Sequence, residues 1–196
     1  MKARVSRAYR MSARAEAAAQ THRAILGAAI RQFGAHPWEE VSLADVAREA
    51  GVTVQTVLRR FGSKEGLGDG ALALGTAAVR EERFSSPVGD LNAAVQGLMR
   101  HYETWGDRSL LFLSQENRVP AMRRLTDSGR ALHHEWVDHV FAPWLAKARG
   151  GARLRLRARL IATTDVYAWK ILRRDLGFEP RAAEQTLREH LEAVLA

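Results

Sequence analysis

The chain has 196 residues, enough for one large helical domain or for a small domain joined to a medium one. Its 46% hydrophobic and 27% charged content is ordinary for a globular protein, and no run approaches the roughly eighteen apolar residues that a membrane-spanning helix needs. The absence of cysteine excludes disulfides, thiolate zinc sites and thiol catalysis, and with it we expect a reducing, cytoplasmic setting.

A net charge of +8 favours polyanionic partners. The cations are unevenly placed. Lys2, Arg4, Arg7, Arg10, Arg14, Arg23 and Arg31 face a single early acid, Glu16, and a second run (Arg149, Arg153, Arg155, Arg157, Arg159) contains no acid. Residues 1–14 read as a flexible basic arm. Their Arg- and Ala-rich composition is also that of an organellar transit peptide, but they lack the apolar core of a secretory signal.

In chain order, Ile25, Ala29, Ile30 and Phe33 mark one face of a first helix over about 15–35. Pro37 ends it, because proline cannot continue a helix and disfavours helix at the residue before it. Ser42 caps a second helix, with Asp45 in capping-box position and Leu43, Val46, Ala47 and Ala50 as its apolar stripe. Gly51 suits a helix C-cap, and Thr53 caps a third helix within two residues. A fourth, capped by Ser63 and reaching about Arg83, holds Gly66, Gly68, Gly70 and Gly75. At roughly 1 kcal/mol each relative to alanine, these glycines predict a soft start and a plausible hinge.

"SSPVGD" at 85–90 divides the chain. The expected organisation is the arm at 1–14, a helix-turn-helix domain with its linker helix at 15–84, and a helical domain at 85–196. Further helices are predicted near 88–105, 107–116, 119–147, 152–175 and 180–195. "RLRLRARL" alternates with period two like a strand, yet arginine and leucine are good helix formers, and helical spacing continues beyond it. The predicted fold class is all-α.

The third helix carries the chemistry. To enter a major groove about 12 Å wide it must dock by one apolar face and show short polar groups on the other. Val54, Val57 and Phe61 form the apolar set, and Gln55 and Thr56 form the polar one. Glutamine pairs bidentately with adenine, and a threonine methyl meets a thymine methyl. Arg59, Arg60 and Lys64 are placed to hold phosphates, Lys64 at the start of the next helix.

"SLADVAREAGVTVQTVLRRFGSKEGL" resembles the DNA-binding segment of the TetR/AcrR family of bacterial transcriptional regulators. The likeness covers about residues 20–70, and the rest is similar to the family's variable ligand domain in length and helix count. It implies base-facing Gln55 and Thr56, and phosphate-facing Ser42, Thr53 and Lys64. Leu58 stands where the family commonly has tyrosine, and Arg60 where it has an aromatic residue or histidine. The usual phenol-phosphate contact is therefore missing, with Arg60 as its candidate replacement.

The resemblance also implies double-stranded DNA, a small-molecule inducer and a second copy of the chain as partners. Candidate ligand contacts are Met99, Tyr102, Trp105, Phe112, Asn117, His133, Trp136 and Asp165, although a stripe of large aromatics is more often plain core than a pocket. Candidate dimer residues are Leu156, Leu160, Tyr167, Leu187, Leu191 and Val194, which form stripes able to cover their own subunit instead. Within "HHEWVDH", His134 with Asp138 and Glu135 with His139 form i,i+4 pairs that fit surface pairing better than a metal. No catalytic motif, cofactor motif or metal set appears. The expected function is a homodimeric repressor of a palindromic operator, released by a small apolar ligand. The alternatives are a helical enzyme or carrier with an incidental basic arm, and a membrane-surface protein using that arm.

Overall fold

The computed structural model describes the backbone of residues 2–196 and the side chains of residues 11–196, and among these every regular element is helical. The cations of the basic arm, Lys2, Arg4, Arg7 and Arg10, have side chains outside the described residues. The chain forms two compact units, Met1–Gly75 and Thr76–Ala196.

In the first unit α1 spans Lys2–Ala35. It begins well before residue 15, because nothing from 2 to 26 is glycine or proline and alanine and arginine favour helix. A 3₁₀ turn, Trp38–Glu40, follows Pro37. Then come α2 (Leu43–Glu49), α3 (Val54–Phe61) and α4 (Lys64–Arg83), whose last residues belong to the second unit. Ile25, Ala29 and Phe33 of α1 pack with Val46 and Ala47 of α2, Val57 of α3 and Leu67 of α4. Arg31 Nε and Gln32 Nε2 both donate to the Glu49 carboxylate, at 2.5 and 2.6 Å, and tie α1 to the end of α2.

The second unit contains α5 (Leu91–Leu113), α6 (Pro120–Val140), α7 (Ala142–Lys147), α8 (Gly150–Thr163), α9 (Val166–Lys170) and α10 (Pro180–Leu195). A π turn, Ile171–Asp175, closes α9. "RLRLRARL" is helical, inside α8.

Three boundaries differ from the spacing-based expectation. The break near Gly106 does not occur, and α5 runs through it. A Cβ there would stand 2.4 Å from the Trp169 indole, so this glycine admits a ring rather than ending a helix. The helix expected at 119–147 divides at Phe141, and Pro143 sits in the first turn of α7, where its missing N–H costs nothing. The helix expected at 152–175 divides at Thr164, because the Asp165 carboxylate accepts from Tyr167 N at 2.9 Å and caps a new helix.

Candidate nucleic-acid interface

The turn between α2 and α3 is built by local chemistry. Ser42 Oγ accepts from Asp45 N at 3.1 Å and donates to the Asp45 carboxylate at 2.5 Å, while Arg48 donates to the same carboxylate at 2.6 Å. Those bonds, Ser42's first and Arg48's next, hold the Asp45 carboxyl below its ordinary value. Gly51 takes φ 68°, a conformation open to glycine, so the chain reverses within three residues. Thr53 Oγ1 then accepts from Thr56 N at 3.2 Å and lies 3.0 Å from Thr56 Oγ1. Both predicted caps therefore serve as caps. The hydroxyls of Ser42 and Thr56 are already engaged within the protein.

This geometry divides α3 into two sides. Val57 is completely buried, and Phe61 is half-buried with its ring stacked on His22 of α1, centroids 5.0 Å apart. Gln55 and Arg59 are exposed, and the side chain of Gln55 makes no hydrogen bond among the described residues. Thr56 is half-buried beneath Thr53, Arg60 is half-buried with an enclosed, unpartnered Nε, and Leu58 is half-buried. Val54 does not join the docking face. It opens the first turn of α3 and is 37% exposed.

Lys64 at the start of α4 is partly buried. Its ammonium lies 4.8 Å from the centre of the Trp38 ring and donates to the Trp38 carbonyl. Burial is the chief influence on it and lowers its pKa, opposed by Glu65 and Glu39. Trp38 stacks in turn on Phe33, with centroids 4.8 Å apart, so the cation is anchored on an aromatic pair. Sequence reading passed over Trp38, and the only hint was an aromatic residue just after the helix-breaking proline.

The glycines of α4 also acquire a packing role. A Cβ on Gly66 would fall 2.1 Å from the Phe61 carbonyl oxygen, one on Gly68 3.0 Å from the Trp38 ring, and one on Gly70 3.1 Å from Leu26. Three of the four therefore let α4 lie close to the other elements of its unit. Gly75 alone meets nothing within 4 Å.

The remaining predicted residues lie in the second unit. Met99, Tyr102, His133 and Trp136 are buried there, Trp105 and Phe112 are half-buried, and Asp165 is spent on capping α9. Asn117 is exposed and accepts from Arg123 at 2.6 Å, so it does not belong with the buried aromatic set. Among the expected dimer residues, Leu160, Leu187 and Leu191 are at most 4% exposed, because α10 turns this stripe onto α5 and α8 of its own unit. Within this chain they are core residues. Tyr167 is 52% exposed, while Leu156 and Val194 pack partly against the core.

In α6, Asp138 accepts both Arg157 donors, at 2.7 and 2.9 Å, and Glu135 is clasped by Arg80, so these carboxylates serve ion pairs. No cluster of three metal-ligating side chains occurs among the described residues. No helix of those residues is long and apolar enough to cross a membrane.

Residues 25–69 match the family model of the bacterial regulatory proteins, tetR family. No curated protein matches the chain. Among solved structures, the fold is similar to that of a transcriptional regulator from Rhodococcus sp. Rha1, with a TM-score of 0.69 at 18% identity over 89% of this chain and 95% of that one. It is also similar to a TetR-family member from Streptomyces coelicolor A3, at 0.61 and 18% over 87% and 97%. A third is NalD, the secondary repressor of the MexAB-OprM multidrug efflux pump in Pseudomonas aeruginosa, at 0.60 and 20% over 91% and 97%. At these identities the structural likeness concerns the fold.

Proposed function

We propose that this chain, a member of the TetR family of DNA-binding transcriptional regulators, is a homodimeric repressor of a palindromic operator, released when a small molecule binds its second unit. One observation carries the reading. On α3, Val57 is buried while Gln55 and Arg59 stand free in solvent, which is the division a groove-reading helix requires. Gln55 reads a base edge, Thr56 offers its methyl while Thr53 occupies its hydroxyl, and Arg59, Arg60 and Lys64 hold phosphates. Ser42 and Thr53 border the same surface, Ser42 with its hydroxyl turned to Asp45.

A dimer is supported by both geometry and surface. One α3 touches too few base pairs for specificity, whereas two set about 34–36 Å apart read a two-fold symmetric site. Leu154, Tyr167, Ile171 and Leu176 are each at least half exposed, an apolar content that a second copy would cover. Release by ligand follows from linkage. A ligand that weakens operator binding is itself bound more weakly on the operator, by the same factor.

Selection of binding sites from random duplex DNA tests the reading. A two-fold symmetric consensus is expected. Recovery of no preferred sequence would remove the assignment of α3 as a base reader.

A further inference from the structure

The first turn of α3 is less polar than its sequence suggests. Thr53 Oγ1 accepts from Thr56 N at 3.2 Å and lies 3.0 Å from Thr56 Oγ1, so these two hydroxyls are committed to each other and to the helix start. Between them stand Val54 and Gln55, both exposed. This turn therefore offers a partner one free amide, that of Gln55, and the methyl groups of Val54 beside it.

Val54 has no packing task in the first unit. Val57 and Phe61 dock α3, the first completely buried and the second packed against the core with its ring on His22. Among the described residues neither Val54 nor Leu58, half-buried one turn later, belongs to that core or to the partly buried residues packed on it. Residues four apart share a helix face, so the two make one apolar strip along α3. Helix propensity does not explain valine here either, because its branched side chain loses rotamer freedom in a helix. A single exposed valine is ordinary on a protein surface. This one, however, opens the segment whose N-terminal residues meet base edges in a groove-reading helix.

The major groove contains one apolar feature that a valine can recognise. Thymine alone among the four bases carries a methyl group there, at C5, and an apolar side chain gains by excluding water from it. A guanine or cytosine at the same place would set polar groups against Val54 with nothing to pair them.

We propose that Val54, its strip continued by Leu58, contacts the 5-methyl group of a thymine in each operator half-site, next to the base pair read by Gln55. Val54 is then a specificity residue, although its spacing alone assigns it to the docking face. Thr56, two positions further on, faces another side of the helix and reads a different position. The inference rests on the reading of α3 as the groove-reading helix.

The test uses the full chain and its selected operator, with thymines replaced one at a time by deoxyuridine. That change removes the methyl group and leaves every base-pairing group in place. Burial of one methyl is worth about fourfold in affinity, and the unaltered protein is expected to lose this much at one thymine per half-site. Val54→Ala, at an exposed site, is expected to melt as the unaltered protein does. It should bind the normal operator several-fold more weakly and be indifferent to deoxyuridine at that thymine, whereas Gln55→Ala should remain sensitive to it. Indifference of the unaltered protein at every thymine would overturn the proposal. So would a sensitivity that survives Val54→Ala, including one that disappears only in Leu58→Ala. If selection returns no preferred sequence, the groove-reading role of α3 falls and this contact with it. A clear consensus that ignores methyl removal refutes the Val54 contact alone, so the two failures are distinguishable.

Discussion

The ammonium of Lys64 rests on the face of Trp38, 4.8 Å from the ring centre, and donates to that residue's own carbonyl. One side chain thus ties the start of α4 to the turn before α2 and still presents a cation beside α3. Lys64→Met keeps the aliphatic stem and removes the charge. It should cost about 1 kcal/mol of stability and weaken selected and random duplexes alike, lowering the salt slope by about one. Urea melts and affinities over a salt series measure both. A loss confined to the selected sequence would contradict a phosphate role.

Gln55 should behave in the opposite way. Its side chain is exposed and makes no hydrogen bond among the described residues, so Gln55→Ala should leave stability within about 0.5 kcal/mol. It should cost about 1–3 kcal/mol of affinity at one base pair of each half-site and relax the preference there. Competition against a full set of single-base operator variants would reveal this, and a uniform loss across the set would count against base reading.

Two glycines of α4 should respond with opposite signs. Gly66→Ala forces a Cβ to within 2.1 Å of the Phe61 carbonyl, which is backbone and cannot step aside. Overpacking of this kind costs typically about 1–3 kcal/mol or more. Gly75→Ala meets open space and should add about 0.5–1 kcal/mol by its better helix propensity. If bending of α4 carries the ligand signal, the stabilised Gly75→Ala protein should also release operator less completely. Thermal melts give the signs, and operator titration with and without ligand gives the second effect.

Stability should fall with acid earlier than carboxylates alone would cause. His101 and His133 are held at about 3 when folded, against 6.5 as the ordinary value. Below pH 6.5 the unfolded chain binds protons that the folded chain refuses. Stability is therefore full above about 6.5 and declines as pH drops toward 3, by up to about 1.4 kcal/mol per pH unit for each histidine. The lowered carboxyls, such as Glu103 beside Arg173 and Asp107 beside Arg174, act only below their own ordinary values of 4.5 and 3.8. His101→Phe should flatten the slope between pH 6 and 5, a window in which those acids are silent. An unaltered slope there would mean that His101 is not buried neutral.

How much could be read without coordinates depended on the range of each interaction. The caps at Ser42 and Thr53, the reversal at Gly51, the stop at Pro37 and the helix starts at Pro143 and Pro180 are made by residues within a turn of one another. Five of these six governed expectation well, and Pro143 escaped it only because a strong apolar period runs across it. The helix-turn-helix was legible for the same reason, since its spacing and its polar edge both lie between Leu43 and Phe61. Leu187 and Leu191 were not, because a stripe on α10 looks the same whether it faces its own core or a second copy, and only the packing of α10 on α5 and α8 chooses. Gly106 looked like a break until Trp169, far along the chain, filled the space its missing Cβ leaves. Arg83 ended a polar run and gave no local sign of burial. Its surroundings come from α5, α6 and the turn after α8. Backbone hydrogen bonds and caps reach only a few residues and are written in order along the chain. Burial, and the charge states that follow from it, depend on which distant segments exclude water together, and so belong to the folded molecule.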